Sequence, residues 1–301
     1  MFKKLSLIVI LSLLVGCASQ KPPQPNVVPT PALSVQINAF EPPPASDKNF
    51  QTYVVPHIQG VVIVVPWSSV EPVKGTYQFT DLDKKIASYT KLGLKVDLIL
   101  ELVSESVIKT GMNTATPAYV ILVNHVGLTK CGLPLVWQDG FALPAHAFAA
   151  AVLSHYSAAT VNIVRAGYVE GGENTLMCLP NSPKWNEKTF LAYVKAWDSF
   201  LAANNNGIKV VTNASDKLAK QEVTLAHAAG IGMGNSSLKE SLIPWEKSLF
   251  GKYGSDLLYF QTDAAEGTAT FKTLIPAVNA FHKGSVMFEV YYPDLKAEYV
   301  P

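Results

Sequence analysis

Short apolar runs alternate along this chain with longer stretches in which apolar residues recur every three or four positions. Eight runs have strand length: Leu33 to Phe40, Gly60 to Trp67, Lys95 to Leu102, Val161 to Tyr168, Ile208 to Asn213, Gly230 to Asn235, Leu257 to Thr262 and Ser285 to Tyr291. The sixth is weakest, being rich in glycine. Val61 to Val65 and Val96 to Leu100 are nearly unbroken apolar segments, with Asp97 the exception, as expected of strands covered on both faces. Between the runs lie helical patterns. Asp81 to Leu92 places Leu82, Ile86, Tyr89 and Leu92 on one face, with Gly93 as a natural C-cap. Ala145 to Tyr156 and Asn186 to Asn204 are the other clear helices, the latter presenting Phe190, Val194, Trp197 and Leu201 on one side. Strands and helices in strict alternation predict α/β architecture with a parallel sheet. Eight such units over residues 35–301 predict one domain, a (β/α)8 TIM barrel, whose typical length is about 250 residues.

The first 34 residues do not fit that pattern. Lys3 and Lys4 precede an apolar run, Leu5 to Leu14, too short to span a bilayer. Leu14-Val15-Gly16-Cys17 then resembles a bacterial lipobox, so residues 1–16 read as a lipoprotein signal peptide. The resemblance implies lipidation of Cys17, which would anchor the chain without a spanning helix. Ala18 after the cysteine favours the outer membrane by the same family's rules. Residues 17–34 hold the lipidated Cys and a proline-rich linker, Lys21-Pro22-Pro23-Gln24-Pro25 and onward. Such a segment cannot bury a core and stiffens toward an extended helix, so it reads as a tether.

Charge narrows the partners. The 24 basic and 23 acidic residues nearly cancel, and losing Lys3 and Lys4 with the signal leaves 22 against 23. With no basic stripe, nucleic acid is excluded as an expected partner. Besides Cys17 there are only Cys131 and Cys178. They could pair in an oxidising compartment or stand as two separate buried thiols. Neither has the spacing of a zinc site, and the six histidines form no His-x-x-x-His or His-Glu-x-x-His pair. Gly230-Ile231-Gly232-Met233-Gly234 lacks the spacing of a nucleotide loop, and no Gly-x-Ser-x-Gly elbow exists. No metal or organic cofactor is implied, and a monomer is expected.

Two segments carry candidate chemistry. The first is Pro66-Trp67-Ser68-Ser69-Val70-Glu71-Pro72, followed by a turn at Gly75, then Tyr77-x-Phe79 and a helix. The second is Val164-Arg165-Ala166-Gly167-Tyr168-Val169-Glu170-Gly171-Gly172-Glu173-Asn174. Together they resemble the second and fourth β/α units of retaining TIM-barrel glycoside hydrolases. The resemblance implies a carbohydrate substrate and hydrolysis of O-glycosidic bonds by two carboxyl groups at C-terminal strand ends. It places Trp67 in a sugar-binding cleft and Glu173, after strand 4, as acid/base, with Glu170 a competitor. Arg165 and Asn174 are expected to orient the carboxylates.

The same family puts a glutamate at the end of strand 7, where this chain has Tyr259-Phe260-Gln261-Thr262-Asp263-Ala264-Ala265-Glu266. Gln261 lies inside the strand and Glu266 comes late. Glu289, an acid inside the apolar eighth strand, needs a reason, because a buried carboxylate is costly unless paired. It is either the second catalytic carboxylate or a structural partner of Arg165 or a lysine. The ranking is Glu289, Glu266, then Asp263. Glu101 at the end of strand 3 is a binding or salt-bridge candidate. Trp137, in the long segment after strand 3, and Tyr291 are candidate sugar platforms. The rival to an enzyme is a catalytically inactive carbohydrate-binding barrel of the cell envelope.

Overall fold

The computed structural model describes residues 35–104, 113–167, 179–214, 217–254, 256–262 and 271–301. The expected signal peptide, Cys17 and the expected tether lie outside the described residues. No helix among those described is long and apolar enough to cross a membrane. Eight parallel strands close on themselves in sequence order. They are β1 Val35–Phe40, β2 Gly60–Pro66, β3 Lys95–Glu101, β4 Ile163–Arg165, β5 Lys209–Asn213, β6 Gly232–Leu238, β7 Leu258–Thr262 and β8 Val286–Tyr291. The expected (β/α)8 barrel is the observed fold.

The helices are α1 Trp67–Val70, α2 Thr80–Thr90, α3 Ala118–Leu122, α4 Asp139–His155, α5 Glu187–Asn204, α6 Ala219–Ala229, α7 Ile243–Phe250, α8 Phe271–Asn279 and α9 Tyr292–Tyr299. Gly93 closes the turn after α2 at φ +77°, with its N–H on the Thr90 carbonyl. Asn186 caps α5, its side chain accepting from the Thr189 N–H at 3.0 Å. Helix α4 begins six residues before the sequence pattern suggests and contains Pro144. Proline has no N–H for the Gly140 carbonyl, and the Asn124 amide donates to that oxygen instead, at 2.8 Å. The glycine-rich sixth strand is also explained by packing. A Cβ at Gly234 would lie 1.7 Å from the Tyr259 carbonyl oxygen, so only glycine fits there.

Alternation sorts the strand residues into two sets. Val61, Ile63, Val65, Val96, Leu98, Leu100, Val164, Val210, Phe260, Phe288 and Val290 join the large core shared with the helices. The other set faces the barrel interior. There Phe40, Val62 and Ile99 form one small apolar cluster, touched by Val64 and Tyr291. Ile163, Val211, Tyr259 and Met287 form another. The same inward parity carries Asn38 on β1, Asp97 and Glu101 on β3, Arg165 on β4, Asn213 on β5, Gln261 on β7 and Glu289 on β8. The barrel is therefore filled partly by polar groups, which is unusual for a layer usually made of branched aliphatics.

Asp97 shows how such a group is held. It is fully buried and accepts from the Asn38 amide at 2.6 Å and the Asn162 amide at 2.8 Å. Burial still dominates, pushing its carboxyl up to about 7.

Candidate active site

In a parallel barrel, loops that follow the strands meet at the C-terminal end, and inward side chains there form the floor of the mouth. Four described residues from three strands interlock at this level. The chain's single arginine, Arg165, is 1% exposed and reaches across from β4. Its Nη1 lies 3.0 Å from Glu289 Oε2. Both its Nη atoms donate to Gln261 Oε1, at 3.2 and 3.3 Å. Gln261 Nε2 donates to the Tyr291 hydroxyl at 2.6 Å. The guanidinium also lies 5.3 Å from the Tyr259 ring centroid, in cation–π range. Register explains the meeting: Gln261 pairs directly with Glu289, and Phe40 with Tyr291, whose rings meet edge to face at 4.9 Å.

Glu289 takes part in this arrangement as a buried carboxylate. Its side chain is 0% exposed and ion-paired with Arg165. The structural partnership weighed for Glu289 is the one observed. A carboxylate with no exposed surface does not touch a sugar in this conformation; it holds Arg165, which in turn orients Gln261. Gln261 itself stands where the resemblance puts a glutamate. An amide in that place supplies hydrogen bonds but neither a nucleophile nor a base.

Trp67 departs from expectation. It is completely buried, stacked on Phe148 at 5.6 Å and edge-on to Phe141 at 5.7 Å, both on α4. Its Nε1 donates to Glu71 Oε2 at 2.7 Å, and Glu71 Oε1 accepts the Gly75 N–H at 2.7 Å. Ser68 N–H and Oγ reach the Ala115 and Thr114 carbonyls. The Trp-Ser-x-Val-Glu-Pro motif is thus a brace that closes its own turn and pins the segment after β3. The sequence motif located the right turn, but the indole faces the helix layer rather than a cleft. Trp67→Phe should therefore lower stability by about 1–3 kcal/mol, from lost packing and a lost buried hydrogen bond. It should leave carbohydrate affinity within about threefold, a small difference on the free-energy scale. Thermal melts and titration calorimetry on one preparation check both.

Trp137 is half-buried just before α4 and meets Trp185, just before α5, edge-on at 5.7 Å and Phe190 at 6.2 Å. Both indoles precede helix N-termini, so they stand on the mouth side of the helix layer. Trp185 keeps Trp137 company there. Glu101, in the last position of β3, is half-exposed. Glu170, Glu173, Asn174, Asp263 and Glu266 lie outside the described residues. Cys131 is disulfide-bonded, with its partner outside the described residues, so the reading of Cys131 as a free thiol is set aside. Among the described residues no group of three or more His, Cys, Asp or Glu side chains could hold a metal ion.

No protein-family model and no curated protein sequence matches the chain. Solved structures do. The β-amylase catalytic domain from Paenibacillus polymyxa superposes with a TM-score of 0.63 at 11% identity, over 89% of this chain and 99% of that one. The fold is glycoside-hydrolase-like. Endo-glycoceramidase II from Rhodococcus sp., solved with a five-membered iminocyclitol, gives 0.54 at 11% identity, over 86% and 73%. Xylanase 10B from Thermotoga petrophila, solved with xylobiose, gives 0.53 at 12% identity, over 86% and 82%. These glycoside-hydrolase-like likenesses establish architecture; chemistry must be argued from the residues.

Proposed function

We propose that this protein is a lipid-anchored glycosidase of the bacterial cell envelope, held by Cys17 on the outer membrane and acting as a monomer on a poly- or oligosaccharide. Glu173 protonates the departing glycosidic oxygen. A second carboxylate at the mouth stabilises or attacks the oxocarbenium-like carbon, or activates water against it. The chemistry needs no metal or organic cofactor. The observation that carries this reading is the Arg165, Glu289, Gln261 and Tyr291 network. Burying an ion pair and an amide where aliphatics would pack is costly. Of the four, Tyr291 has exposed surface, and its hydroxyl, held by the Gln261 amide, is what this network offers a sugar at the mouth. The structural neighbours, named for enzymes that act on glycosidic bonds, support the substrate class. Glu289 serves the network as the counter-ion of Arg165, and Glu266 keeps its place among the proposed mouth carboxylates.

One observation favours the rival, an inactive carbohydrate-binding barrel: Gln261 occupies the strand-7 level at which the resemblance expects a glutamate. Hydrolysis separates the two. The mature protein should release reducing ends from at least one member of a panel of bacterial and plant polysaccharides. Glu173→Gln should cut that rate by about 1,000-fold while retaining binding. Binding without any product from the wild-type protein would establish the rival instead.

A further inference from the structure

The segment that leads into α4 is apolar on both its sides. The inner side packs: Val120, Val126, Leu133, Leu135 and Val136 are buried. The outer side does not. Leu122 is 71% exposed, Val123 66% and Leu128 50%, and Leu143, in the second turn of α4, is 62% exposed. These are four of the six large apolar side chains exposed among the described residues, so they are concentrated rather than scattered. Contacts within the segment bring them to one place. The Asn124 amide donates to the Gly140 carbonyl at 2.8 Å, and the Gly127 N–H donates to Gln138 Oε1 at 2.7 Å. A Cβ at Gly140 would meet Val126 Cγ2 at 3.2 Å, so residues 124–127 lie along the first turn of α4. Leu143 stands one turn beyond Gly140 on the same face of the helix. Helix α4 starts on the mouth side, which places the patch at the rim of that end.

Resting on the lipid-anchored reading above for the choice of membrane, we propose that this patch docks onto a phospholipid bilayer. Single apolar residues on a surface need no partner, but a cluster does. Area argues against a second copy of the chain. The four side chains expose only a few hundred Å², well short of the roughly 800 Å² that each partner brings to a standard interface. Chemistry argues against sugar, because aliphatic side chains give it neither a ring face nor a hydrogen bond. Charge favours lipid. Across residues 113–144 only Lys130 and Asp139 carry a formal charge, so the leucines can enter the interface without drawing many charges out of water. The linker supplies the reach. Residues 18–34, extended at about 3.1 Å per residue, span up to roughly 50 Å, against roughly 26 Å for the 17 residues of α4. An anchor at Cys17 therefore leaves either end of the barrel able to meet the membrane that holds it, and the patch selects the mouth end.

The test uses the mature chain with Cys17→Ser, which keeps the linker and removes the acylation site, floated with vesicles of phosphatidylethanolamine and phosphatidylglycerol. This protein should rise with the vesicles. Adding Leu122→Ser, Val123→Ser and Leu143→Ser should weaken vesicle binding by about tenfold or more, with the melting temperature unchanged because the three side chains are exposed. Leu122→Trp should bind at least as tightly as its parent, and its added fluorescence should shift to the blue with vesicles present. A Cys17→Ser protein that stays behind at every lipid concentration, or a triple variant that floats as well as its parent, would overturn the docking. So would a concentration-dependent dimer in sedimentation that the triple variant abolishes, since it would give the patch to a second copy. Labelling of wild-type Cys17 with palmitate reads the anchor separately: its failure would overturn the lipid-anchored reading and with it the choice of membrane, while vesicle binding would still stand or fall with the patch.

Discussion

Arg165→Ala will destabilise the protein by about 3–5 kcal/mol, the cost typical of stripping one partner from a buried ion pair. For a domain of this size that corresponds to a fall of roughly 10 °C in Tm. The reason lies in the geometry. Glu289 is 0% exposed and meets the guanidinium at 3.0 Å, so its charge would stay buried without its counter-ion. Gln261 Oε1 would lose two donors at once, and the Tyr259 ring its cation. Arg165→Lys should recover little, because one ammonium cannot reach both partners as a planar fork does. A double variant, Arg165→Met with Glu289→Leu, should be markedly more stable than Arg165→Ala, since it removes both charges and refills the volume. It should nevertheless fail to bind carbohydrate. Chemical denaturation of wild type, Arg165→Met, Glu289→Leu and the double variant closes a double-mutant cycle that measures the coupling, and additive effects would mean the pair is not coupled.

The second large effect is on pH. Stability should fall as pH rises from about 5 to about 8.5, opposite to the behaviour of proteins held by surface ion pairs. Burial pushes the Asp97 carboxyl from 3.8 up to about 7 and the Glu246 carboxyl from 4.5 up to about 8. Asp198 on α5 is raised by burial and then by the charge of Glu222. Neither Glu246 oxygen has a hydrogen-bond partner among the described residues. A folded-state value above the unfolded one means that the folded state holds the proton more tightly. The stabilisation is whole below about pH 4 and disappears as pH climbs through 7 to 8. At about 1.4 kcal/mol for each tenfold gain in proton affinity, Asp97 and Glu246 each contribute at most about 5 kcal/mol. Tm should drop by about 5–10 °C between pH 5.5 and pH 8.5, discounting those upper bounds for partial solvation. Glu246→Gln should raise Tm at pH 8.5, change it little at pH 5.5, and flatten the slope between. Scanning calorimetry in matched buffers reads this directly, and a Tm that climbs with pH would refute it.

The barrel was legible because parallel strands covered on both faces must be continuous apolar runs, and eight such runs are spaced by helices. Glycine blurred the sixth strand, since the close approach of Gly234 to Tyr259 is a tertiary fact with no local signal. Pro144 hid the start of α4 for a similar reason: the Asn124 amide that compensates for it comes from another segment. At the site, the arginine and glutamate could each be picked out as polar residues in apolar strands. Their pairing could be weighed but not decided, because it depends on which strands face each other across the barrel. Trp67 was misplaced because a strand-end indole can turn inward or outward with identical neighbours in sequence.

The most direct measurement is a crystal structure of Glu173→Gln soaked with the oligosaccharide it binds most tightly. A sugar ring should lie over Tyr291, with the scissile oxygen beside position 173. An oligosaccharide bound away from the C-terminal mouth would contradict the account.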